Sequence, residues 1–497
     1  MIRSSYSQNE VSMSAMFSRI AASAVALTLM SGAFLSSVAH ARPAKATLEA
    51  SVCPTDALRA LEAKCYTADL PEDHDAPRGK RISVPVAVLK GDKKAAPLFF
   101  FPGGPGSSAL DREERLRVLK DGADGRDLVV FAYRGGRGAA PELDCDPSYR
   151  RLSAYYRKFT PIVHGPGSPV ERLAQIGAYY EACHQRLKEQ GVDIAQYTEY
   201  NIAFDIDAIR KALGYKAIHV AGHSAGGGAV LTQARLFPEA VASVIAEAPW
   251  PVWTRNRAPI DELAPSRILY TRLLSPYIGQ RFGEHTFSAF DLDRAQDVLD
   301  AEPVVLTFGS QTIRFDGAAL MHRLYVDLPQ DLEGLAGLLT SVANGDRSGL
   351  EAFIGVPNSV PIEQGDTPWG LYLSIVCGDM GADKLTKTEI IAMVEKEPAL
   401  LGFEPTLACP WWETSGDVPA SQNRPPSLKM PVLVITGERD TCCGRRVADE
   451  LRLVSPSVQT ADLAGRGHST FGGCRNTLVR QFLDNPAKPL DKSCTQK

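Results

Sequence analysis

Short apolar runs, continuous rather than alternating, recur along this chain: "ISVPVAVL" at 82–89, "PLFFF" at 97–101, "DLVVFAY" at 127–133, "AIHVAG" at 217–222, "SVIAEA" at 243–248 and "PVLVIT" at 431–436. A strand that is apolar on both faces has to be covered on both sides, so such runs describe a buried, mostly parallel sheet. Helical patterns lie between some of them. In "IAFDIDAIRKAL" (202–213) apolar residues recur at helical spacing, with Asn201 placed as a cap and Gly214 as a stop. Strands alternating with helices predict an α/β fold with a doubly wound sheet.

The alternation breaks once. Residues 252–428 carry helical patterns, several prolines and few strand signals, and they lie between two strand candidates. The expected organisation is an α/β domain from 42–251 and 429–497, with 252–428 inserted as a helical cap or lid. A length of 497 residues suits a large domain plus a second lobe.

The start of the chain reads as a leader. After Arg19 comes "IAASAVALTLMSGAFLSSV", and "AHA" follows at 39–41. A basic start, an apolar middle and a small-x-small end describe a secretory signal, residues 1–41, cut after Ala41. The first dozen residues are polar, which points to Met13 or Met16 as the start. No other stretch approaches the roughly 20 apolar residues of a spanning helix, so no membrane association is expected after cleavage. The ten cysteines all lie beyond Ala41, and an even count in an exported, periplasmic or secreted protein argues for disulfides. Their order suggests local bridges: Cys53–Cys65, Cys145–Cys183, Cys377–Cys409 and Cys474–Cys494. Cys442 and Cys443 are adjacent and form either a vicinal bridge or two thiols. No paired CxxC or HxxxH accompanies them, so zinc is not expected. A net charge of −4 gives no basic field for nucleic acid.

The chemistry centres on "VAGHSAGGG" at 220–228. The segment reads strand, sharp turn, helix, with Ser224 in a Gly-x-Ser-x-Gly frame, the pattern of a nucleophile elbow. Gly222 and Gly226 let strand and helix pass closely, and the helix N-terminus favours developing negative charge. A serine hydroxyl needs a base. Of nine histidines, His40 leaves with the leader, His219 lies within a strand, and His223 adjoins the serine and points away from it. His74, His164, His184, His285 and His322 have no flanking pattern. His468, in the glycine-flanked "AGRGHSTFGG" after the strand-like "VQTADL", stands where the base belongs. The orienting acid should precede it just after a strand, and "PVLVITGERD" supplies Asp440, with Glu438 as the lesser alternative. "FFFPGGPGSS" follows a strand with glycines that let backbone N–H groups approach a ligand. Gly104 and Ala225 N–H are the expected oxyanion donors.

These residues resemble the α/β-hydrolases related to proline iminopeptidase and tripeptidyl aminopeptidase, most closely the exported tripeptidyl aminopeptidase branch. "FPGGPGSS" is similar to the family's oxyanion segment, with Pro102 where proline iminopeptidases carry His. "FAYRGGRGAAPELDC" is similar to its Arg-Gly stretch ending at Cys145, and "YTEYNIAFDIDAIRKALG" to the segment before the nucleophile. "GERD" and "GRGHS" match the acid and base segments, and Cys474 with Cys494 fits that branch's ending. The resemblance runs from about residue 50 to the C-terminus and is weakest in the cap. Three positions depart: Ala225 stands where the peptidases have Tyr or Trp, Gly227 where they have Thr, and Ala132 where the Arg-Gly stretch has Asp.

The expected function is that of an exported serine hydrolase. The first reading is an aminopeptidase releasing N-terminal residues or short peptides. The alternative is a carboxylesterase with the same triad acting on small esters, for which Ala225 leaves room. A binding protein that has lost its chemistry is disfavoured by the intact serine, acid, histidine and glycine set. An aminopeptidase needs an anion for the substrate ammonium. Glu413 in "CPWWETSG" is a candidate, but two tryptophans beside a cysteine are more often core packing, so no anchor is assigned. Acyl transfer of this kind needs no metal or organic cofactor.

Overall fold

The computed structural model describes residues 46–145, 167–255, 289–308, 311–317, 332–354, 368–379, 385–396, 405–414 and 419–496, together with 320 and 401 and without 439, 441, 442 and 444. The expected leader, its cleavage point, His164, His285, His322 and Cys442 lie outside these residues.

Nine strands form one sheet in the order β1-β2-β3-β5-β4-β6-β7-β10-β11. They are β1 (Thr47–Ala50), β2 (Lys64–Pro71), β3 (Arg81–Leu89), β4 (Leu98–Phe101), β5 (Leu128–Phe131), β6 (Ile218–His223), β7 (Val241–Glu247), β10 (Val432–Gly437) and β11 (Val458–Leu463). The pairs β1/β2, β2/β3 and β3/β5 are antiparallel, and every pairing from β5 through β4, β6, β7 and β10 to β11 is parallel. The continuous apolar runs are the central strands, and β4, β5 and β10 are buried at every position. Their side chains alternate between two cores. Phe99, Phe101, Val129 and Phe131 face one, with the helices Pro169–Glu189, Glu199–Ala212 and Ala225–Leu236. Phe100, Leu128 and Val130 face the other, where the helices Glu113–Gly122 and Gly473–Asp484 pack together. Two-sided coverage is what a parallel sheet requires.

The helix before β6 starts earlier than its apolar pattern. It runs Glu199–Ala212, and Thr198 is the N-cap, its hydroxyl accepting the Asn201 N–H at 3.2 Å. Asn201 instead donates its side-chain amide to Gln196. Gly214, with φ +81°, ends the helix as expected.

Arg134 of the Arg-Gly stretch is fully buried. Its Nε and Nη2 donate to Asp205 at 2.7 and 2.6 Å, and Nη1 donates to the carbonyls of Glu72 and Gln196. His74 joins the same carboxylate at 2.8 Å. Burial alone would raise the Asp205 pKa, but Arg134 and then His74 hold it below the usual carboxylate range.

Between β7 and β10 the described residues are mainly helical, including Ala289–Ala301, Leu332–Ala343, Trp369–Asp379 and Lys387–Lys396. The stretch also holds a two-stranded antiparallel sheet, β8 (Val304–Phe308) and β9 (Gln311–Phe315), which the helical reading did not anticipate. The helix Trp369–Asp379 is buried throughout and contributes Leu371, Leu373, Ile375 and Val376 to the larger core. Disulfides join Cys53–Cys65, Cys145–Cys183, Cys377–Cys409 and Cys474–Cys494, the pairs expected from their order along the chain. Cys443 is also disulfide-bonded.

Candidate active site

The carboxyl ends of β4, β6, β10 and β11 bring the expected site residues to one edge of the sheet. Ser224 follows β6 directly and has φ 59° and ψ −123°, a conformation that costs energy for a non-glycine residue. The surrounding backbone holds it there. Its N–H donates to the Glu247 carbonyl at 2.8 Å, and its carbonyl accepts the Trp250 N–H at 2.9 Å. A methyl group on Gly226 would lie 2.6 Å from the Pro102 carbonyl oxygen, and one on Gly222 would collide with the Gly226 backbone. The glycines of the elbow therefore let β4, β6 and the helix Ala225–Leu236 meet at backbone distance. Gly227, one of the three departures, has the same cause: a methyl there would sit 2.9 Å from Pro249 Cα.

Asp440 lies just beyond β10. Its side chain is 2% exposed, and the His468 Nδ1–H points at both of its oxygens, at 3.0 and 3.1 Å. The Cys443 N–H donates to Asp440 Oδ1 at 3.2 Å. His468 stands in the loop after β11 with its side chain 32% exposed, while Asp440 is closed off. Glu438 is exposed and accepts the Gly465 N–H, so it braces the loop and leaves the imidazole to Asp440. Among the described residues no hydrogen bond joins the Ser224 hydroxyl to His468, a link that commonly tightens only when substrate is present.

His223, disfavoured as a base on sequence grounds, reaches the His468 loop. Its Nε2–H donates to the His468 carbonyl at 2.8 Å, and its ring lies 4.8 Å from that of His468 and 5.2 Å from that of Phe471. Burial, followed by the neighbouring His468, pushes its pKa down to about 3, so it serves as a neutral donor. No local pattern marks this contact, which spans 245 residues. His219 is buried in β6 against Ser243 at 2.8 Å, and burial pushes its pKa down to about 4.

The N–H groups of Gly104 and Ala225 are taken up by no hydrogen bond among the described residues. Ala225 is the first residue of its helix, whose leading N–H groups have no intrahelical acceptor. Gly104 has φ +115° in the loop after β4. Its neighbour Gly103 lies so close to Ser224 that a methyl there would be 2.9 Å from the serine Cβ. Tyr133 donates its hydroxyl to the Pro102 carbonyl at 2.7 Å and so ties this loop to β5. Glu413, by contrast, is solvent-facing, 80% exposed and 3.6 Å from Lys188. Trp412 is core, its indole N–H donating to Ser374.

A sheet of this order with a strained serine after its central parallel strand is the architecture of a hydrolase. The family described as "alpha/beta hydrolase fold" matches residues 96–273, and that described as "TAP-like protein" matches residues 403–494. Tripeptidyl aminopeptidase of Streptomyces lividans is 30% identical over 223 residues, covering 42% of this chain and 40% of that protein. The Streptomyces coelicolor tripeptidyl aminopeptidase is also 30% identical, covering 42% and 39%. The match thus spans well under half the length of these relatives. The chain therefore has an α/β-hydrolase fold, and its C-terminal part is similar to TAP-like proteins. Among solved structures it is similar to proline iminopeptidase of Mycobacterium smegmatis, at 16% identity and TM-score 0.34, covering 82% of this chain and 96% of that one.

Proposed function

We propose that this chain is an exported serine hydrolase, an aminopeptidase that releases N-terminal residues or short peptides. The observation that carries the reading is the Asp440–His468 pair, at 3.0 Å, on the sheet edge that also presents the strained Ser224. In this reading His468 takes the Ser224 proton as the hydroxyl oxygen attacks the substrate carbonyl carbon. Gly104 and Ala225 N–H groups hold the oxyanion, each donor contributing about 3 kcal/mol. Asp440 keeps the imidazole oriented and stabilises its charged form. His468 then returns the proton to the leaving amine, and water, activated by the same imidazole, releases the acyl group from Ser224.

The names of the Streptomyces relatives support peptide over ester substrates. Ala225 favours a second reading, a carboxylesterase, because a methyl group beside the nucleophile leaves room for a broad acyl or alcohol pocket. The proposed organisation is a catalytic body of 42–251 and 429–497 with 252–428 inserted as a cap, after removal of residues 1–41. Disulfides support export, and no helix of the described residues is long and apolar enough to cross a membrane.

A rate panel on residues 42–497 tests the reading. It compares free-amine prolyl and tripeptidyl anilides, the same anilides with blocked N-termini, and short-chain p-nitrophenyl esters. Fast cleavage of free-amine anilides, lost on blocking, is the expected result. Cleavage of esters alone would replace it with the esterase reading, and full activity of Ser224→Ala would overturn both.

A further inference from the structure

Glu247 ends β7, between the strand that carries the nucleophile and the strand that carries the acid: it pairs with His223 on β6 and with Ile435 on β10. It is fully buried, and so is its partner Arg475. Its backbone carbonyl accepts the Ser224 N–H at 2.8 Å. Its carboxylate accepts the Thr470 hydroxyl at 3.0 Å, Arg475 Nε at 3.0 Å and Arg475 Nη2. Thr470 lies two residues beyond His468, and Arg475 in the helix Gly473–Asp484 that follows. Arg475 Nη1 donates on to Asn476. Asn476 in turn donates to the Val118 carbonyl and to Asp121 of the helix behind the oxyanion loop.

A buried ion pair is weak support for stability, because desolvation of two charges offsets most of their attraction, and apolar residues would fill the same space as well. What an ion pair supplies that apolar packing does not is direction: each donor and acceptor is fixed relative to the next. Here the directions converge on the two elements whose relative placement the chemistry depends on.

We propose that Glu247 is a positioning residue. With Thr470 and Arg475 it sets the base loop so that the His468 imidazole stands over the Ser224 hydroxyl. The proposal rests on the Ser224–Asp440–His468 reading. Thr470 offers the cleanest test, since Thr470→Val keeps the side chain's shape, removes the loop's tether and leaves the Glu247–Arg475 pair intact. Thr470→Val should lower kcat about tenfold, by loosening the approach of base to nucleophile, with KM within twofold of the parent. Thr470→Ser should restore it. The labelling rate of Ser224 by a small fluorophosphonate should fall in parallel. Melting curves on each variant separate folding from catalysis. A Thr470→Val protein with parental kcat and labelling rate overturns the positioning role, as does a loss of kcat that Thr470→Ser fails to restore. Glu247→Gln, which also removes the countercharge of buried Arg475, should lose more activity and stability than Thr470→Val, and a kcat above that of Thr470→Val would contradict the proposal. Ser224→Ala run alongside isolates the underlying reading: labelling that survives that change defeats the triad itself, whatever Thr470 does.

Discussion

Asp440 presents both carboxylate oxygens to Nδ1 of His468, at 3.0 and 3.1 Å, from a side chain that is 2% exposed. Only one tautomer of the imidazole satisfies that contact, and it turns the Nε2 lone pair outward as an acceptor. Asp440→Asn keeps the shape, removes the charge and favours the opposite tautomer. On any substrate that the enzyme turns over, kcat should fall about a thousandfold or more. Steady-state kinetics on the purified variant decides it, and a loss below tenfold would move the acid's role elsewhere.

The close approach at Gly226 makes a second prediction. Gly226→Ala places a methyl group 2.6 Å from the Pro102 carbonyl oxygen, so the oxyanion loop and the nucleophile helix have to separate. A displacement on the order of 1 Å at a reacting centre costs about a hundredfold in rate. The measurement is kcat at a temperature where the variant's circular dichroism matches the parent. Near-parental turnover would mean that loop and helix are not clamped together.

His219 and His223 both fold with pKa values pushed below the ordinary imidazole range, to about 4 and about 3, chiefly by burial. The unfolded chain therefore takes up these protons first as pH falls. Stability from the neutral rings is intact above about pH 6.5 and lost progressively as pH drops toward the folded values, at up to about 1.4 kcal/mol per pH unit for each ring. His219→Gln should flatten melting temperature against pH between 6.5 and 4 relative to the parent. Two parallel curves would show that His219 does not titrate on unfolding.

Cys377 and Cys409 close a loop of 32 residues between a buried helix and the segment carrying Trp412. Replacing both with serine should lower unfolding free energy by about 3 kcal/mol, read from urea melts. Production in a reducing cytosol should cut folding yield for the same reason, and good yield with full activity there would show the bridges to be dispensable.

The strand runs, the strand–turn–helix around Ser224 and the position of Asp440 and His468 just after strands were legible from residue order, because each is a local pattern whose meaning depends on its immediate neighbours. The first two strands were not. β1 and β2 are partly exposed and of mixed polarity, so they lack the continuous apolar run that marked β4 and β5. The helix cap was misplaced by one helical turn because Asn201 and Thr198 are both good caps, and only the backbone path decides which hydroxyl or amide faces the free N–H.

The chain's order of residues by itself determined the alternation of strand and helix, the sharp turn at Ser224 and the loops that carry Asp440 and His468. It did so because apolar period and glycine placement act over a few residues. Tertiary structure alone decided that His223 braces His468 across 245 residues, that Thr470 and Arg475 converge on Glu247, and that Arg134 finds Asp205. Buried polar groups are forced to find partners once water is excluded, and those partners are chosen by which distant segments the folded sheet brings together.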